Sequence, residues 1–101
     1  MVERVEQSKA LASEARMNVL AWLKQPRRHF SHQETGDPAE IGVCVTLLAE
    51  KLGMSQPTVS RHLELLRRAG FVEVNRIARW SFFSRNEAGL ADYREWLRDE
   101  L

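Results

Sequence analysis

The amino-acid sequence predicts a mainly α-helical domain carrying one small β-hairpin, an α+β arrangement. Three observations predict it. Apolar residues recur at helical spacing in several stretches, a glycine stands just past two of them, and the run FVEVNRIARWSFFSR is rich in β-branched and aromatic residues instead. A chain of 101 residues, 44% of them hydrophobic, suits one domain spanning residues 1–101 that buries about 60–65% of its unfolded surface.

Residues 2–12 have modest helical spacing, with Val2, Val5 and Ala12 near one face, and predict a short first helix. Ser13 can cap a second helix to about Lys24, with Leu11, Ala15, Val19, Trp22 and Leu23 as its apolar stripe and Pro26 as its stop. Gln25 to Glu40, QPRRHFSHQETGDPAE, has no period and reads as a long surface loop. Gly42 to Val45 is β-prone and predicts a short strand beside the later hairpin. Thr46 to Leu52 follows as a short helix closed by Gly53. Ser55 and Pro57 then start another helix only three residues later, because serine accepts from free backbone N–H groups and proline lacks one where none is needed.

On that helix, Val59, Leu63 and Leu66 lie within an arc of about 60° at 100° per residue, Leu63 and Leu66 each within about 40° of Val59, while Arg61, Glu64 and Arg68 point the other way. Gly70 ends it. The aromatic run then makes a hairpin with its turn at Ile77 and Ala78. Asn86 can cap a last helix whose Leu90, Tyr93, Trp96, Leu97 and Leu101 form an apolar stripe.

The net charge of +1 is unevenly distributed. Met1 to Met54 carries seven basic and seven acidic residues, Ser55 to Arg85 six and two (net +4), and Asn86 to Leu101 two and five (net −3). A basic middle suits a polyanionic partner. No apolar run approaches the roughly 20 residues of a membrane helix, and MVERVEQSKA has no apolar signal core, so no membrane partner and a cytoplasmic location are expected. The single cysteine, Cys44, leaves no internal disulfide and suits a reducing compartment.

Helix, tight turn, helix, hairpin is the order of a winged helix-turn-helix. A helix fits the roughly 12 Å wide major groove of DNA and presents its N-terminal side chains to base edges. Gln56 can pair with adenine or a phosphate, Thr58 and Ser60 are short enough for bases or backbone, and Arg61 can fork onto guanine or phosphate. The amides that follow Ser55 add an anion site. His62, about 60° from the core centre, fits packing and DNA contact equally. Arg67 and Arg68 sit late in the helix, where solvation or phosphate contact is expected. Arg76 and Arg79 flank the hairpin tip, where a wing crosses the backbone or the minor groove. The candidate DNA-binding set is Ser55, Gln56, Thr58, Ser60, Arg61, His62, Arg76 and Arg79. Trp80, Phe82 and Phe83 are expected in the core.

SQPTVSRHLELLRRAGFV followed by RIARWSFFS, with LASEARMNVLAWL upstream, resembles the ArsR/SmtB family of bacterial winged-helix repressors across residues 8–101. The resemblance implies a homodimer joined through its first and last helices, which represses promoters until an effector releases it. Two metal sites known in such families are not intact here. Where some members carry Cys-x-Cys the chain reads Cys44, Val45, Thr46, and the last helix, NEAGLADYREWLRDEL, has no histidine. Ile77 and Ala78 replace the acidic residue and glycine that suit a tight wing turn.

A lone cysteine among valines is ordinarily a small buried hydrophobe, although a thiolate can ligate soft metals or react with oxidants. His29 and His32, near Glu34 and Asp37, lie on an irregular stretch that imposes no ligand geometry. No metal and no cofactor are expected, with Cys44, His29 and His32 the sensor candidates. The terminal stripe, with Val5, is expected at a dimer interface: Val5, Leu90, Tyr93, Trp96 and Leu97. No P-loop, GxSxG or paired catalytic carboxylates appear, so an enzyme is not expected. The expected partner is double-stranded DNA bearing an inverted repeat, since a two-fold protein reads a two-fold site. The rival is a winged-helix module that binds protein without reading sequence.

Overall fold

Polar caps set four of the helix starts, and they locate most of the architecture. In the computed structural model, which describes residues 3–101, Ser13 accepts from the Arg16 N–H ahead of α2 (Glu14–Lys24), and Asp37 accepts from the Ala39 N–H ahead of α4 (Pro38–Ile41). Ser55 accepts from the Thr58 N–H ahead of α6 (Gln56–Arg68), and Asn86 from the Gly89 N–H ahead of α7 (Glu87–Glu100). Each satisfies a backbone donor that a helix start leaves open. The remaining helices are α1 (Arg4–Leu11), α3 (Pro26–His29) and α5 (Val45–Leu52). The strands are β1 (Val43–Cys44), β2 (Val72–Ile77) and β3 (Trp80–Arg85). No helix among the described residues is long and apolar enough to cross a membrane.

The strands form one antiparallel sheet in the order β1-β3-β2. Val43 pairs with Phe83, Cys44 with Phe82, and Val74 with Phe83. Alternation then places Val43, Val72, Val74 and Phe83 on one face and Cys44, Phe82 and Trp80 on the other. The first face meets the helices. Val19 and Leu23 of α2, Leu48 of α5, Val59, Leu63 and Leu66 of α6, Phe71, and Leu90 and Tyr93 of α7 close the core with Val43 and Val72. Each such large apolar side chain contributes about 1.5–3 kcal/mol by leaving water.

Residues 25–40 correct the expectation of a surface loop. Proline at the first position begins both one-turn helices, α3 and α4. Phe30 between them is fully buried. The Gln33 side chain accepts from the Cys44 N–H at 3.0 Å and donates to the carbonyls of Gly36 and Gly42, both at 3.0 Å. The segment therefore lines the sheet edge and replaces a regular ladder with side-chain hydrogen bonds, which leaves no period to read.

The hairpin turn is also displaced. Ile77 pairs with Trp80, so the turn residues are Ala78 and Arg79 rather than Ile77 and Ala78. Ala78 takes a left-handed backbone with φ +53°, a position usually held by glycine or asparagine. The first helix is shorter than expected and turns its inner face differently. Gln7 and Ala10 are buried, Val5 is exposed, and Val2 lies outside the described residues. At the far end α7 packs so closely that a β-carbon on Gly89 would stand 1.9 Å from the Gly70 carbonyl oxygen.

Candidate nucleic-acid interface

Gly53 adopts φ +67° and lets the chain leave α5 sharply, its N–H returning to the Glu50 carbonyl and the Met54 N–H to that of Ala49. Three residues after Gly53 α6 starts. Because Val59, Leu63 and Leu66 lie on the inner stripe, Gln56, Thr58, Ser60 and Arg61 are held outward, and all four are exposed. The Gln56 amide donates to the Thr46 hydroxyl at 3.2 Å, which ties the start of α6 to α5. Ser55 is occupied as a cap and also donates to the Thr58 hydroxyl at 3.0 Å. Among the described residues Arg61 makes no ion pair and no hydrogen bond, so its five donors face solvent.

His62 sits differently. Its Nδ1 is 2.9 Å from Nη1 of Arg16 on α2, and a guanidinium can only donate, so Nδ1 accepts and the ring is neutral. Burial, then the Arg16 charge, hold its pKa below the ordinary histidine value. Arg16 also donates to the Ala10 and Lys9 carbonyls at the end of α1. Of the two uses open to His62, the geometry is that of packing: one arginine and one imidazole join α1, α2 and α6. Nothing in the local sequence pattern around Arg16 marks it for this task.

Glu64 pairs with both Arg67 and Arg68 along the outer face, and Arg67 holds the Glu64 carboxyl below the usual carboxylate range. On the wing, Arg76 donates to the Ser81 hydroxyl at 2.9 Å, and the guanidinium of Arg79 lies 5.4 Å from the Trp80 ring centre. Ser60, Glu64, Arg67, Arg76 and Ser81 line one cleft of about 180 Å³ between α6 and the wing. The outer face of α6 and the base of the wing thus form a continuous surface, with cations on both sides of the cleft.

Trp80 corrects a second expectation. It is exposed at the wing tip, whereas Phe82 is buried and Phe83 packs against the core. Trp80 and Phe82 share a face, and Trp80 differs in standing next to the turn, at the end of the strand. The expected dimer set also divides. Leu90 and Tyr93 are buried inside the subunit, Tyr93 against Phe71 at 5.3 Å and hydrogen-bonded to Ser8 at 2.8 Å, so they are removed from a surface seam. Val5 is exposed and Trp96 and Leu97 are half-buried.

Cys44 is buried, His29 half-buried and His32 exposed. Among the described residues no three His, Cys, Asp or Glu side chains come together as a metal site.

A family model described as bacterial regulatory protein, arsR family, matches residues 43–74, which run from β1 through α6 into β2. The chain is 39% identical over 100 residues to YbzH, an uncharacterized HTH-type transcriptional regulator of Bacillus subtilis (strain 168), covering 99% of this chain and 100% of that one. A crystal structure of an ArsR family transcriptional regulator has the same fold, with a TM-score of 0.72 over 99% of this chain and 92% of that one at 18% identity. The transcriptional regulator HlyU from Vibrio vulnificus CMCP6 is similar at a TM-score of 0.59 and 29% identity, over 93% of this chain and 83% of that one.

Proposed function

The chain belongs to the ArsR family of bacterial regulatory proteins, and from that premise we propose that it is a homodimeric repressor reading an inverted repeat in double-stranded DNA. It is a DNA-binding transcriptional regulator and not an enzyme. The single observation that carries the finer reading is the outer face of α6. That helix is capped, docked by three buried apolar residues, and leaves Arg61 without a partner among the described residues, beside Gln56, Thr58 and Ser60.

In this reading α6 enters the major groove with Arg61 forking onto a base or phosphate, while Gln56, Thr58 and Ser60 contact base edges and backbone. Ser55 contributes the ordered amides at the helix start. Arg76 and Arg79 bring the wing to the neighbouring backbone or minor groove. His62 acts from behind, holding α6 to α2. Val5, Trp96 and Leu97 form the seam between two subunits, which sets the two α6 helices about 34 Å apart on one face of the duplex. The protein acts in the cytoplasm, where its target lies, and a releasing ligand works by binding its two conformations unequally.

The test is a titration of purified protein against duplexes selected from a random pool, read by fluorescence anisotropy. With 6 to 10 phosphates neutralised, affinity should drop by about 10³- to 10⁵-fold between 50 and 200 mM salt. Selected duplexes should share a two-fold sequence. No enrichment, or binding indifferent to salt, would overturn the proposal.

A further inference from the structure

Trp80 is 41% exposed, whereas Phe82, on the same face of the strand, is covered. A lone exposed aromatic means little by itself. Here three neighbours give it a task. Arg79, the adjoining turn residue, has its guanidinium 5.4 Å from the indole centre. Ala78 supplies the left-handed backbone that makes the turn, so Arg79 stands at the outermost point of the strand pair. Trp80 also lines an open cleft of about 320 Å³ whose other side is formed by Leu47 of α5 and residues His32 to Thr35.

We infer that Trp80 is a positioning residue of the wing, its indole holding the Arg79 guanidinium extended at the tip for contact with the duplex. The inference rests on the DNA-binding reading above. A free arginine side chain has many rotamers to lose when it meets a ligand, and one already stacked has fewer. A cation–π contact occupies the guanidinium face, and its N–H donors lie at the edge, open to phosphate oxygens or minor-groove acceptors. A narrow minor groove attracts such a cation most strongly. The left-handed turn and the exposed indole then serve one end, since together they hold the charge over the indole at the wing tip.

The experiment is a double-mutant cycle on the full chain, using a fluorescein-labelled duplex that the unaltered protein has selected from a random pool. Trp80→Leu keeps apolar bulk against His32 to Thr35 but removes the π face, and should weaken binding about two- to fivefold. Trp80→Phe, which retains a face, should stay within about twofold. In an Arg79→Ala background the Trp80→Leu change should have no further effect. A Trp80→Leu loss that persists undiminished in that background makes the role merely structural and overturns the inference, as does unchanged binding by Trp80→Leu. If Arg79→Ala binds normally while Arg61→Ala does not, the wing-tip role fails and the DNA-binding reading stands. If the unaltered protein selects no duplex, both fail.

Discussion

Helices α6 and α7 both start at a polar cap and both lay an apolar stripe on the same core, yet their outer faces differ in sign and in apolar content. α6 buries Val59, Leu63 and Leu66 and shows solvent Arg61, Arg67 and Arg68, with Leu65 the one large apolar residue among them. α7 buries Leu90 and Tyr93 but has further apolar groups, Trp96 and Leu97, that are only half covered, and it carries Glu87, Asp92, Glu95, Asp99 and Glu100 along its length. At one point the acidic helix docks backbone against backbone, because Gly89 lets it approach Gly70. The difference teaches a division of labour. A helix with a basic outer face can offer that charge to a polyanion, and an acidic one that leaves two neighbouring apolar groups half covered is suited to a second copy.

The comparison breaks most severely at Gly89. Alanine at an open helix position would stabilise by up to about 1 kcal/mol, but here the added carbon meets backbone, so Gly89→Ala should destabilise by about 1–3 kcal/mol. Urea unfolding read by circular dichroism gives the sign directly, and a stabilised variant would mean that α7 docks more loosely. On the other helix, Arg61→Ala should leave unfolding unchanged and weaken specific DNA binding by about 1–3 kcal/mol. Equal loss on selected and scrambled duplexes would assign Arg61 to a phosphate instead of a base.

Leu97→Glu tests the apolar remainder of α7. A carboxylate placed in a desolvated seam should raise the dimer dissociation constant about tenfold or more, about 1.4 kcal/mol, and sedimentation should then show monomers at concentrations where the unaltered chain is paired. A sedimentation profile that does not change would remove this stripe from the interface.

The smallest effect sharpens how α6 is held from behind. Burial and Arg16 depress the His62 pKa from its ordinary 6.5, so the unfolded chain takes up this proton first as the pH drops. The contribution of His62 to stability is therefore fully present above about pH 6.5 and is lost as pH falls through the folded value. Subtracting the urea midpoints of His62→Gln from those of the unaltered chain, between about pH 7.5 and 5, should show that loss. A difference that does not vary with pH would mean that the Arg16 contact is absent in solution.

Periodicity and caps made α2, α5, α6 and α7 legible from the chain alone, because a buried stripe at 3.6 residues and a capping side chain are local properties. The same holds for the outward set Gln56, Thr58, Ser60 and Arg61, since whatever docks the apolar stripe inward must turn these residues outward. The β-prone segment beside the hairpin was legible too, and it became the two-residue strand β1.

What the tertiary structure alone decided lies where one segment's neighbours come from far along the chain. Phe30 and Gln33 become part of the fold only because the sheet edge and Cys44 are there to receive them. His62 becomes a strut because Arg16, 46 residues away, reaches it. Leu90 and Tyr93 go inside and Trp96 and Leu97 stay partly out, although all four share one stripe, because the core covers the first half of α7 fully and reaches the second half only at its margin. Trp80 stays largely in solvent because it stands beside the turn at the end of the strand, whereas Phe82 lies two residues further into the domain. A sequence states which side of an element is apolar, but which part of that side finds a partner depends on where the other elements end.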